Sequence, residues 1–392
     1  MIDTMKLTFL PWLTIPRTVA IGEVTFIPFS TSDGDPSAIF ADVSDDIVRI
    51  LSGYRGVNGK PIDTCTLVYL DEQEPCSESA DDKLIANAIH LLAFAGIAQN
   101  KYCVNLGNYI NSSCFESVVQ MFRKGSEFIT LTMRRRDGQK YIGGMKHGEV
   151  SFSIPNQCTH VNSPEFDDDF VASLRYVLQE NEPLSKRMMQ SIWLFDEACS
   201  DSYTVSLQRE VILFASAFEQ SLNCKHCYEL TKIFGDLLKD YGSITVENSN
   251  RLKDIAISTE YGHAERQWYL SRKWIEELYD LRSYYTHGED TQKRSWGWND
   301  LEHTLMASFA FPLIVKILLA QQSKYTLTED DRIHAGAIDK LLNALDWFEP
   351  PDPSEVTCTW QEVISDHKLS SRIEEYFEKN RKKQNSHNEA EE

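Results

Sequence analysis

The chain has 392 residues, of which 42% are hydrophobic and 25% charged, with a formal net charge of −20. This length suits two ordinary domains or one large one, and the composition is that of a soluble globular protein. An acidic surplus of this size argues against a broad, sequence-independent nucleic-acid surface, which would be basic, and leaves room only for a local contact.

Residues 1–160 alternate between strand-like and helix-like segments. Thr18–Phe29, β-branched and aromatic, predicts strands. Phe40, Val43, Ile47, Leu51 and Tyr54 fall at helical spacing and predict a helix over about 36–54. Thr64–Leu70 reads as a strand, Asp81–Ala98 as a helix with acidic residues in its first turn, Lys101–Leu106 as a short strand and Ser112–Lys124 as a short helix. Phe128–Met133 and Tyr141–Ile154 bracket a hairpin turn at Arg136-Asp137-Gly138-Gln139. Ile154–Pro164 reads as a linker. Beyond it the strand signals stop, and helices are predicted near 165–180, 183–198, 203–224, 227–241, 264–286, 298–322 and 327–347. Pro183 stands at a favourable first-turn position. Glu349-Pro-Pro-Asp-Pro353 ends this series; Trp360–Arg381 predicts a last helix, and the charged end from Lys379 is expected to be disordered. The expected architecture is an α+β N-terminal domain (1–160) followed by an all-α helical bundle (161–350) and a C-terminal helix and charged tail (351–392).

Nine scattered cysteines and an N-terminus without a basic start and apolar run predict a cytoplasmic protein. The most apolar run, Leu84–Ala98, is too short to span a bilayer and carries Asn87 and His90, so a buried helix and no membrane association are expected. Cys224-Lys-His-Cys227 has no second close pair to complete a zinc site, and thiols at a helix junction are the better reading. Gly143-Gly144 lacks the context of a phosphate loop. No metal and no cofactor are expected.

Chemistry concentrates at Arg282-Ser-Tyr-Tyr-Thr-His287-Gly288, the end of a long amphipathic pattern. Arg is a permanent cation with a planar fork suited to phosphate, and His transfers protons near neutrality. On a regular helix the two lie about 7.5 Å apart in rise and roughly 140° apart in direction. Gly288 reads as the helix stop. One copy therefore makes a poor site, and two copies about a two-fold axis make a better one. Residues 264–300 hold six Lys/Arg against seven Asp/Glu, so RNA contact here would be local.

Arg-x4-His at a helix end, with the upstream helix Val211–Leu222 carrying Glu219 and the segment Leu278–Gly288, resembles the Apea-like branch of the HEPN superfamily of metal-independent ribonucleases. The resemblance covers roughly the C-terminal half. It implies a HEPN-like bundle and an RNA endonuclease, used in antiviral defence or as a regulated toxin, that leaves 2′,3′-cyclic phosphate and 5′-hydroxyl ends. In that reading His287 is the general acid or base and Arg282 stabilises charge on the scissile phosphate. Glu219 would hold the Arg282 fork; an exposed or otherwise paired Glu219 is the alternative. Ser283 departs from the Asn, Asp or His often found after the arginine in catalytic relatives, which keeps a second reading open: a non-catalytic RNA-binding or dimerising module. Tyr284 and Tyr285 either stack on bases or pack the helix. Lys293 and Arg294, interleaved with Trp296 and Trp298, are candidate RNA contacts. So are Arg134, Arg135 and Arg136, which as a solvated hairpin tip need no function. The expected partners are RNA, a second copy of the chain, and a regulatory protein or phage trigger that acts through residues 1–160.

Overall fold

The computed structural model describes residues 5–32, 38–71, 81–99, 110–134, 136, 140–146, 148–159, 163–179, 182–253, 255, 262–288, 296–348 and 358–364. The N-terminal part is α/β and the remainder helical. Strands β1 (Met5–Leu10), β2 (Val19–Ile21), β3 (Val24–Ser30), β5 (Thr64–Leu70), β6 (Val118–Phe122), β7 (Phe128–Arg134) and β8 (Lys140–Lys146) form one sheet. Its order is β2-β3-β5-β1-β6-β7-β8, with every neighbouring pair antiparallel. A second, two-stranded parallel pair joins β4 (Tyr54–Arg55) to β9 (Phe152–Ser153).

The two-residue period of the central strands sorts their side chains between two cores. Leu7, Phe9, Ile27, Phe29, Cys65 and Leu67 face a smaller cluster. A 3₁₀ turn (Ala38–Val43) and helix α1 (Ser44–Leu51) close that cluster with Phe40, Ile47 and Ile50. Leu10, Val24, Phe26, Val68 and Leu70 face the other way. They meet α2 (Asp82–Gln99), whose apolar residues are buried on nearly every side. A helix apolar all round belongs inside a larger core, and α2 packs against helices from beyond residue 160. One continuous apolar core thus runs from the sheet into the helical region.

The helical region comprises α3 (Asp168–Leu178), α4 (Pro183–Ala198), α5 (Leu207–Leu222), α6 (Cys227–Leu238), α7 (Gly262–Arg266), α8 (Leu270–His287), α9 (Asp300–Gln321), α10 (Glu329–Asn343) and α11 (Thr359–Ile364). At its centre α5 touches α4, α6, α8 and α9. Phe195, Phe214, Phe218, Trp274 and Phe311 interlock there with ring centroids 5.0–5.9 Å apart. Helix α9 is long and apolar enough to cross a membrane, yet 78% of its most apolar stretch is buried inside the protein. Packing against α5, α4 and α2 accounts for that apolarity.

Several expected elements change. Ser112–Lys124, read as a helix, is a 3₁₀ turn (Ser112–Phe115) followed by β6. β-Branched Val118 and Val119 pair with Phe9 and Thr8 of β1, a strand that sequence reading did not identify. The helix expected over 36–54 is split into a 3₁₀ turn, α1 and the short strand β4. The pattern at 264–286 divides into α7 and α8. Lys101–Leu106 and the chain beyond Ile364 lie outside the described residues.

Candidate functional site

Helix α8 is continuous through His287 and stops at Gly288, whose φ of 69° is the left-handed conformation that glycine adopts without penalty. The Gly288 amide donates to the Tyr284 carbonyl at 2.8 Å and closes the last turn. The helix end is moored to the start of α9. Tyr285 donates its hydroxyl to Asp300 at 2.5 Å. Asn299 caps α9 reciprocally with Glu302, its side chain accepting from the Glu302 amide while Glu302 accepts from its own. Arg251 clamps Glu302 with two bonds of 2.5 and 2.6 Å and donates to the Gly297 carbonyl at 2.7 Å. Trp298 is buried, its indole N–H donating to Leu342 and its backbone N–H to Glu277, both at 3.0 Å. Trp298 is therefore an anchor of the fold and offers no face to RNA.

Arg282 is half-buried. Its guanidinium lies 3.5 Å from Glu219 on α5 and 5.7 Å from the centre of the Tyr279 ring, and its Nε is buried without a partner. Burial raises the Glu219 pKa above the ordinary carboxylate value, and the Arg282 charge pulls it back. The pair arises because α5 and α8 pack closely, which sets Glu219 beside Arg282 although 63 residues separate them in sequence. His287 is exposed at the helix end. Continuity of the helix sends the two side chains off in directions roughly 140° apart. Within one chain the arrangement holds Arg282 and His287 on one helix end without converging them.

Ser283, Tyr284 and Tyr285 are half-buried. The two tyrosine rings lie 5.0 Å apart and border a hollow of about 910 Å³ whose walls include Gln208, Trp296 and Asn299. Burial and the Asp300 carboxylate raise the Tyr285 pKa, so that hydroxyl stays a donor. Arg251, which stabilises the floor of this hollow, was not singled out from the sequence. Its partners are scattered from Gly297 to Ala344, and no local pattern announces them.

Lys293, Arg294 and Arg135 lie outside the described residues. Arg134 ends β7, where it pairs in register with Lys140, and Arg136 is exposed in the turn that follows. The sheet holds this hairpin at its edge, on different elements from the end of α8. Cys224 is buried and Cys227 begins α6, and neither is in a disulfide. Among the described residues, no three His, Cys, Asp or Glu side chains gather as metal ligands.

The fold and this helix end define an α/β unit fused through a shared core to a helical bundle that carries an Arg-x4-His terminus. No family model, curated protein or solved structure matches the chain.

Proposed function

We propose that the protein is an RNA endonuclease of the HEPN type, with Arg282 and His287 of two chains forming a composite site about a two-fold axis. The observation that carries this reading is the Arg282–Glu219 pair. A buried-side carboxylate steadies the guanidinium while leaving it partly open, and an exposed imidazole stands at the same helix end. His287 takes the proton of a ribose 2′-hydroxyl or gives one to the leaving 5′-oxygen. Arg282 stabilises the charge gathering on the phosphate, as its fork of donors suits. A 2′,3′-cyclic phosphate and a 5′-hydroxyl result. Residues 1–160 supply recognition or control, and defence against phage or regulated toxicity is the biological setting that the motif's resemblance implies.

The direct test is incubation of purified protein with total RNA in EDTA beside the Arg282→Ala/His287→Ala double variant. The proposal expects cleavage by the wild type alone, with product ends of the stated chemistry. Cleavage by the double variant, or cleavage only with added magnesium, overturns it. A second reading, a non-catalytic RNA-binding or dimerising module, draws on the divergence of the two side chains and on Ser283. It expects RNA binding or dimerisation without any cleavage.

A further inference from the structure

A separate cleft of about 580 Å³ lies between α2, α4 and the segment that joins the Ser112–Phe115 turn to β6. Ala86, Ile89, Ala93 and Phe115 form its apolar part, and Trp193, 40% exposed, forms a wall. Its volume is that of a small-molecule site. Inside it His90 Nδ1 meets Asp196 Oδ2 at 2.8 Å. The carboxylate is 3% exposed while the imidazole is 41% exposed. Where Nδ1 of the neutral ring donates to Asp196, the other ring nitrogen, Nε2, is left as an acceptor.

This pairing is costly for its size. Asp196 spends one oxygen on His90, and its other oxygen, Oδ1, is buried with no partner. Burial pushes its pKa up to about 6 against the opposing pull of His90. Replacing such a buried pair with apolar residues is often neutral or stabilising, so stability alone does not explain it. What the pair secures is the orientation of one imidazole beside an exposed indole, their ring centres 5.6 Å apart.

The remaining polar groups set the ligand's charge. Ser112 donates its hydroxyl to the Asp196 carbonyl, and Ser113 donates to the Ser200 carbonyl at 2.6 Å while its oxygen accepts from Gln157 at 3.4 Å, so neither hydroxyl supplies a positive charge to the cleft. Glu116 is exposed at the rim. Glu197 also lines the cleft but is held by Arg209. No Lys or Arg is among the described lining residues. An anion would meet carboxylates and no counter-charge. A cation meets Glu116, an accepting imidazole and the face of Trp193, whose quadrupole attracts positive charge.

The geometry points to a second binding site here, for a small organic cation: a protonated amine whose ammonium lies between Glu116 and His90 Nε2 and whose apolar or aromatic body rests on Trp193 and Phe115. The site shares no residue with the Arg282–His287 end and does not rest on RNA cleavage. It is tested on the full chain by calorimetry with phenethylamine, its neutral analogue 2-phenylethanol and its acidic analogue phenylacetate, together with the His90 ring resonance under saturating amine. Phenethylamine is expected to bind at least about tenfold more tightly than the alcohol, the acid not at all, and the His90 resonance to shift. Trp193→Ala and Glu116→Gln both alter exposed side chains, so the fold survives them; each is expected to weaken the amine by about fivefold or more. Equal binding of alcohol or acid overturns the site. So does wild-type affinity in both variants, which would mark diffuse attraction to an acidic protein, and so does an unmoved His90 resonance.

Discussion

His287 and His90 stand in opposite circumstances. His287 is on the surface at the end of α8, with the nearest part of its motif, Arg282, held by another helix and pointing elsewhere. His90 is pinned by a buried carboxylate inside a walled cleft, with its whole surroundings supplied by one chain. The contrast teaches that a motif and a finished site are different things. The residues most suggestive in sequence stand on one helix end without converging. The residues least suggestive in sequence form an oriented pair that lines a half-open cleft.

The largest expected effect breaks the comparison at its open end. His287→Ala and Arg282→Ala should each lower RNA cleavage by about 10²- to 10⁴-fold, read on gels in EDTA. Arg282→Lys should also lose most activity, because a point charge does not replace the planar fork. His287→Ala should leave thermal stability within about 0.5 kcal/mol of wild type, as expected for a surface side chain. Full activity in His287→Ala removes the assignment.

Complementation asks whether the proposed site needs a partner. Mixing Arg282→Ala chains with His287→Ala chains should restore roughly a quarter of wild-type activity, since about half the dimers are mixed and each keeps one intact Arg–His pair across the two-fold axis. No recovery, in mixtures shown by co-purification of differently tagged chains to contain mixed dimers, argues that each chain uses its own pair.

Glu219→Gln gives a smaller effect. The pair is partly exposed, so its loss should cost no more than about 1 kcal/mol of stability. Cleavage should nevertheless fall several-fold, chiefly in kcat, because the Arg282 guanidinium loses the group that steadies it. A fall in stability with kcat unchanged would reduce Glu219 to a structural role.

The last expectation is a pH dependence of stability carried by Asp196 and Glu210. Burial raises Asp196 to about 6, and burial together with Asp201 raises Glu210 to about 7. A carboxyl raised in the folded state favours folding below its unfolded pKa, and that contribution is lost as pH rises through the folded value. Stability from these two groups should therefore decline between about pH 4 and pH 7. Glu210→Gln should raise the melting temperature relative to wild type at pH 8 and give no gain at pH 4. An equal shift at both values shows that the carboxyl's charge is not the cause.

Much of the secondary structure was legible in the sequence because it depends on local period and punctuation. Thr64–Leu70 and Pro183–Ala198 form as the spacing predicts. So does the stop at Gly288, since only a residue free of a Cβ settles readily at positive φ. The exceptions depended on distant partners. Val118–Phe122 becomes a strand because β1 lies beside it. Of the Arg282–His287 site, the residues and their divergence could be read from helix geometry alone. The Arg282–Glu219 pair was expected from the family resemblance and not from local pattern, while the hollow bounded by Tyr284 and Tyr285 and the mooring of Tyr285 to Asp300 could not be read at all.

Local pattern thus determined which segments are helix or strand and where an arginine and a histidine share a helix end. Tertiary packing alone decided which charges meet, that α2 joins the helical core, and that His90 finds Asp196 across 106 residues of chain. The physical reason is range. Backbone dihedrals and side-chain period act over a few residues, whereas burial and ion pairing act between surfaces that become neighbours only when the whole chain has folded.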